Sequence, residues 1–168
     1  MLQVNITENH DPRFRPGPEG FQNVQLGAKV FVPIQVKRGQ AVNIVPQKGN
    51  SGWTHDRHHV SKYGPEGHSA VPPVAKEYFA RSTMPIGSLV GGYDIQYYNT
   101  IDLKLWQKIF QQAVHKPVDF GGGRHYFEAP ITGFLYLIMN DALYWPGNVN
   151  NDGYEDNDGH INIEINVD

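Results

Sequence analysis

The C-terminal stretch Ile161-Asn162-Ile163-Glu164-Ile165-Asn166-Val167 decides the fold class. Its apolar and polar residues alternate without a break, the period of two at which a strand shows one face to a core and the other to water. Upstream, Ile131 to Met139 is a continuous apolar, β-prone run. Lys29 to Val36 reads as another strand, and Val42 to Val45 alternates after the turn Lys37-Arg38-Gly39-Gln40. Gly87 to Gly91 is a short buried-strand candidate, and Leu2 to Ile6 a first strand before a loop punctuated by Pro12, Pro16 and Pro18. Residues 46 to 75 read as a long loop region.

One segment breaks this pattern. From Ile101 to His115, Leu103, Trp106, Ile109, Phe110, Ala113 and Val114 recur at helical spacing, with Asp102 near the start and Pro117 beyond the end. The spacing predicts one amphipathic helix packed on a sheet edge or a neighbouring subunit. The chain therefore reads as all-β: a β-sandwich with one amphipathic helical insertion, in a single domain over residues 1–168.

Bulk composition agrees and removes several functions. Of 168 residues, 39% are hydrophobic and 12% aromatic, and the 18 Gly and 12 Pro lie between short apolar runs, as in a turn-rich β protein. A formal charge of −3, with no basic run longer than two, argues against nucleic acid as a partner. No apolar stretch approaches the roughly 20 residues of a membrane helix, so no membrane insertion is expected. The N-terminus lacks the basic and apolar regions of a signal peptide, which predicts a cytoplasmic protein or one released extracellularly by another route. Cysteine is absent, which excludes disulfides and thiolate chemistry.

Between the two best strands lies an acidic loop from Asn140 to Gly159, with four Asp, one Glu and five Asn in 20 residues. Hard cations such as Ca²⁺ take six to eight oxygens from carboxylates, amides and backbone carbonyls. Asn, Asp and Gly are also turn residues, so a polar hairpin accounts for the composition too. Against that, clustered carboxylates repel one another unless a cation relieves them. The 12-residue EF-hand spacing with its terminal Glu is missing.

Three separated motifs add to this reading. Ile138-Met139-Asn140-Asp141, then Asp156-Asn157-Asp158-Gly159 and the final strand, resemble the strand, Asn-Asp, loop, Asn-Asn-Ser-Gly and last strand of the PA-I galactophilic lectin family. Gly52-Trp53 followed by Tyr63-Gly64-Pro65-Glu66-Gly67 is similar to that family's Gly-Trp and Trp-Gly-Pro-Gln-Gly. Gly87-Ser88-Leu89-Val90 resembles its Gly-Ala-Leu-Val, and Gly39 to Ile44 an early strand. All occur in family order over about residues 24 to 168, excluding the helix and a lengthened C-terminal loop.

The resemblance implies a jelly-roll-like β-sandwich with one Ca²⁺ that coordinates galactose through two ring hydroxyls. It implies Asp141 as carboxylate ligand, Asp156 and Asn157 in place of an Asn pair, and backbone carbonyls from Gly153 and, approximately, Asp56. A second register would use Asn150 and Asn151. Asp141, Ala142, Gly153 and Asp156 would line the sugar, with Tyr144 and Trp145 as further aromatic candidates. The family's His and Gln that hold the sugar's primary hydroxyl fall on Val71 and Val74, which cannot hydrogen-bond through their side chains. His68 is the nearest substitute, and a 6-deoxy sugar such as fucose becomes a competitor. The implied partners are galactosides or fucosides on glycans. Small shallow sites of this kind gain strength through multivalency, so a homo-oligomer is expected.

Two rival readings come from other residues. His55-Asp56-Arg57-His58-His59 invites zinc and a metal-dependent hydrolase, although no His-Glu-x-x-His helix is present. A structural adhesion domain, stiffened by calcium without binding sugar, is the other. Catalytic patterns are otherwise thin: Gly121-Gly122-Gly123 opens no phosphate-binding helix, and Glu128 with a loop Asp would be needed for a glycosidase pair. A non-enzymatic lectin is the expectation.

Overall fold

The computed structural model describes residues 4–6, 21–47, 52–98, 100–111, 118–119, 125–143 and 153–168. In chain order the strands are β1 (Val4–Ile6), β2 (Phe21–Gly27), β3 (Val30–Val36), β4 (Ala41–Pro46), β5 (Gly52–Thr54) and β6 (Glu66–Ser69). There follow β7 (Ile86–Asp94), β8 (Thr100–Ile101), helix α1 (Leu103–Phe110), β9 (Val118–Asp119), β10 (His125–Glu128), β11 (Gly133–Met139) and β12 (Asp158–Val167). They form two sheets. One runs β6-β7-β11-β3-β1-β8 with β9 also on β7, and the other β10-β4-β12-β2 with β5 joining β12. Only the β1–β3 pair is parallel among the described strands. The architecture is the expected β-sandwich, carrying α1 and, among the described residues, a short 3-10 helix over Pro73–Tyr78.

The alternation in β12 has its structural counterpart. Ile161, Ile163, Ile165 and Val167 are buried between the sheets, against Leu135, Leu137 and Met139 of β11 and Leu89 and Tyr93 of β7. Each such aliphatic side chain contributes about 1.5–3 kcal/mol by leaving water. The continuous apolar run of β11 has a different cause. Its other face, Tyr136 and Ile138, lies with Val90 and Phe31 beneath α1, in a second cluster with Trp106, Ile109 and Phe110. Strands covered on both faces lose the alternation.

The helix is shorter than its periodicity suggests. It spans Leu103–Phe110, capped where Asp102 Oδ1 accepts the Leu105 N–H at 2.8 Å. Ile101 belongs instead to β8, opposite Val4, and residues 112–115 lie outside the described set. The helix sits on a sheet face rather than an edge, and its apolar residues are buried within its own chain. Gly92 on β7 permits the approach, since a Cβ there would come within 2.9 Å of the Phe110 ring and meet the Ile109 carbonyl.

Further strands depart from the sequence reading, β6 among them, which pairs with β7 inside the stretch read as loop. β2 pairs with β12 over seven positions from His160–Gly27 to Asn166–Phe21, although between Asn23 and Gly27 it carries only Val24 and Leu26 as buried apolar residues. An edge strand with a polar outer face offers little periodicity to detect. Within the 46–75 region, β5 pairs with the start of β12, held by Trp53, which is fully buried and donates its indole N–H to the Gly87 carbonyl at 2.7 Å. No helix among the described residues is long and apolar enough to cross a membrane.

Register fixes which loops share an end. β12 begins opposite Thr54 and finishes opposite Val42, and β11 begins opposite Val36 and finishes opposite Leu89. The Asn140-Asp141 corner, residues 153–157 and the loop after Trp53 therefore meet at one end. Glu128, opposite Ala41, is at the other.

Candidate functional site

At the end of β11 two adjacent residues take different tasks. Asn140 is fully buried and clamps the segment before β7: its Oδ1 accepts the Arg81 N–H at 2.8 Å, and its Nδ2 donates to the carbonyls of Arg81, Met84 and Pro85 at 2.8, 3.0 and 3.1 Å. Its side chain is committed to structure. Asp141, 6% exposed, accepts the Ala142 N–H on Oδ1 at 2.7 Å. Ala142 is fully buried, packed with Ala75, Phe79 and Ile86, and its backbone bridges Phe79.

The turn leading into β12 is drawn tightly onto this corner. Gly153 lies so close to Ala142 that any Cβ would collide with that residue's carbonyl, and its N–H reaches the Leu143 carbonyl at 3.2 Å. Tyr154 is 2% exposed and donates its hydroxyl to the Met139 carbonyl at 2.7 Å, with the Asp141 carbonyl at 3.4 Å. Asn157 is fully buried and donates Nδ2 to the Ala28 carbonyl at 2.9 Å, with Met139 Sδ at 3.4 Å. Its Oδ1 is enclosed and has no hydrogen-bond partner among the described residues. An amide oxygen left unmatched in the interior is costly unless something else satisfies it.

Asp156 is half-buried. Burial, followed by the negative charge of Asp56, raises its pKa above the ordinary carboxylate value. Arg57 donates its N–H to the Asp156 carbonyl at 2.9 Å, which stitches the two loops together. Asp56 organises its own turn: Oδ1 accepts the His58 N–H at 3.1 Å and Oδ2 meets His59 Nδ1 at 3.0 Å. Burial opposes its ionisation, but the bonds from His59 and His58 outweigh that and lower its pKa. The Asp56 carbonyl, expected as a donor, already accepts the N–H groups of Val60 at 2.9 Å and His59 at 3.3 Å. What this residue brings to the site is charge rather than a free carbonyl.

Beside Asp141 stands a small ring cluster. His55 Nδ1 lies 2.6 Å from the Tyr63 hydroxyl, and the exposed His68 ring sits 5.5 Å from His55 and 5.4 Å from Tyr63 between centroids. Burial, then the charge of His68, lowers the His55 pKa against the pull of Asp56. Burial and the nearby Asp141 charge raise that of Tyr63. His58 and His59 turn elsewhere and face each other at 6.4 Å. No group of three or more His, Asp or Glu that could hold a metal forms among the described residues. Within the five-residue histidine run the rings go to separate partners, His55 to the Tyr63 hydroxyl and His59 to the Asp56 carboxylate. Val71 is partly buried, and Val74 is 68% exposed.

No family model and no curated protein matches the chain. Among solved structures, the N-terminal domain of EclA, a PllA-like lectin, superposes with a TM-score of 0.51 at 17% identity, covering 89% of this chain and 99% of that one. The fold is lectin-like. The similarity spans nearly the whole of both chains, so the sandwich of this protein matches a complete lectin domain rather than a fragment of one.

The structure thus brings Asp56, Asp141, Ala142, Gly153, Asp156 and Asn157 to one end, with His68 by the His55–Tyr63 pair. The sequence reading missed Tyr154, whose only sequence signal is an aromatic residue within a polar loop. Tyr144, Trp145, Asn150 and Asn151 lie outside the described residues, as does Gly121-Gly122-Gly123. Glu128 lies at the far end of the sandwich from the described acids of this loop, too far to form the pair a glycosidase requires.

Proposed function

We propose that this chain is a non-enzymatic, calcium-dependent lectin of the PA-I type. In this reading Ca²⁺ is held by the carboxylates of Asp141 and Asp156, the amide oxygen of Asn157 and the Gly153 carbonyl, with the Asp56 charge adding to the negative field. Hard, mixed oxygen donors of this kind suit calcium. The observation that carries the proposal is the enclosed Asn157 Oδ1, unmatched among the described residues, at the same end of the sandwich as the buried Asp141. A cation would satisfy that oxygen and relieve the Asp56–Asp156 repulsion together.

The metal would supply a point for two adjacent sugar hydroxyls, while the ligating carboxylates accept hydrogen bonds from them. The Tyr63–His68 rings offer an apolar wall for a sugar face. With Val71 and Val74 where a hydrogen-bonding pair would hold a primary hydroxyl, galactose loses its advantage over fucose. Galactosides or fucosides on glycans are the partners, presented to a homo-oligomer that gains avidity.

Calorimetric titration with galactose and fucose, in calcium and in EDTA, tests this. Calcium-dependent binding of either sugar without turnover is expected, and Asp141→Ala should abolish it. Calcium stabilisation with no sugar binding would replace the lectin by a structural adhesion domain, and zinc-dependent hydrolysis would sink both. If Asp156→Ala binds normally while Asn150→Ala does not, the ligand pair lies in the other register.

A further inference from the structure

We infer that helix α1 is a positioning element for the calcium loop, acting through Trp106 and Tyr154. This rests on the calcium reading above and extends it to residues that reach no ligand.

The chain of contacts is continuous. The helix is fixed on its sheet by the Asp102 cap, by close approach at Gly92, and by Lys108, whose Nζ lies 3.3 Å from the buried carboxylate of Asp94. Trp106 is fully buried on the helix, 4.8 Å from the Phe110 ring and 5.8 Å from the Tyr154 ring, both edge-on. Edge-to-face pairs of this separation are favourable beyond the area they bury. Its indole N–H has no hydrogen-bond partner among the described residues. Its contribution is therefore shape, packed against two rings.

Tyr154 carries the constraint onward. Its hydroxyl grips the Met139 carbonyl, and Asn157 reaches the Met139 side chain, so the turn 153–157 is fastened to the end of β11 from both of its ends. Gly153 and Asp156, two of the proposed donors, lie on either side of the Tyr154-Glu155 pair. Without the Trp106 surface the Tyr154 ring would lose its backstop, and the turn could leave the Asp141 corner. Outer supports of a metal site act in this way, holding ligands in place before the ion arrives.

The test measures calcium affinity by calorimetry and melting temperature in EDTA for wild type, Tyr154→Phe, Trp106→Ala and Trp106→Phe. Loss of an outer support should weaken calcium about tenfold in Tyr154→Phe and in Trp106→Ala, with Trp106→Phe returning to within about threefold of wild type. Melting in EDTA should fall much less for Tyr154→Phe than for Trp106→Ala. If Trp106→Ala does not fold, Trp106→Leu takes its place with the same loss expected, and unchanged calcium affinity there overturns the part given to the helix. Calcium affinity unchanged in Tyr154→Phe, with wild type binding normally, overturns the positioning role only. No calcium binding by wild type overturns the calcium reading and this inference with it.

Discussion

Two asparagines at the same end of the sandwich are each completely buried, yet they are satisfied to different degrees. Asn140 has both ends of its amide matched, accepting one bond on Oδ1 and sharing its two Nδ2 hydrogens among three carbonyls, and ties residues 81–85 to the end of β11. Asn157 donates to Ala28 and Met139 but keeps an enclosed oxygen without a hydrogen-bond partner among the described residues. Both fall within a loop whose composition treats them alike. Burial by itself does not mark a binding residue; in the calcium reading proposed above, it is the unused oxygen of Asn157, at the same end as Asp141 and Asp156, that sets it apart from Asn140.

That contrast can be broken most forcefully at Asn140. Asn140→Ala leaves several buried backbone groups unmatched and should cost about 3 kcal/mol, lowering the melting temperature by roughly 10 °C for a chain of this size. The loss should be equal in calcium and in EDTA by scanning calorimetry. A loss confined to calcium would make Asn140 part of the ion site. Asn157→Ala should behave in the opposite sense. In EDTA it forfeits one bond to Ala28, about 1 kcal/mol, while the stabilisation that calcium gives wild type disappears. An unchanged calcium response would show that the enclosed oxygen has another use.

The smallest effect sharpens the electrostatic half of the comparison. The Asp156 pKa is raised by burial and by Asp56. Between the ordinary Asp value and that raised value, the native state holds more protons than the unfolded chain. Stability in EDTA therefore falls as pH rises through this window and then levels off. Asp156→Asn should remove the fall, leaving a variant slightly more stable than wild type at neutral pH without calcium. The lowered pKa of Asp56 works below the ordinary Asp value, where stability is lost as pH falls, so the two contributions separate along the pH axis. Melting curves in EDTA from about pH 2.5 to pH 7 read the difference.

Local periodicity and composition were enough for much of the molecule. The alternation of Ile161 to Val167 gave the half-buried strand, the spacing of Trp106, Ile109 and Phe110 gave the helix, and the Asp, Asn and Gly of 140–159 gave the loop its polar character. Those properties depend on neighbours in sequence, so they can be read there. Three others could not. The face-on docking of α1 arises because β7 and β11 are covered on both sides, and a continuous apolar run does not say what covers it. The engagement of the Asp56 carbonyl in its own turn is set by how the chain closes over Val60. The difference between Asn140 and Asn157 depends on which carbonyls lie across the gap, contributed by segments 55 to 129 residues away in the chain. The sequence determined which groups carry polar capacity; only the packing of distant strands decided which of them still has capacity to spare.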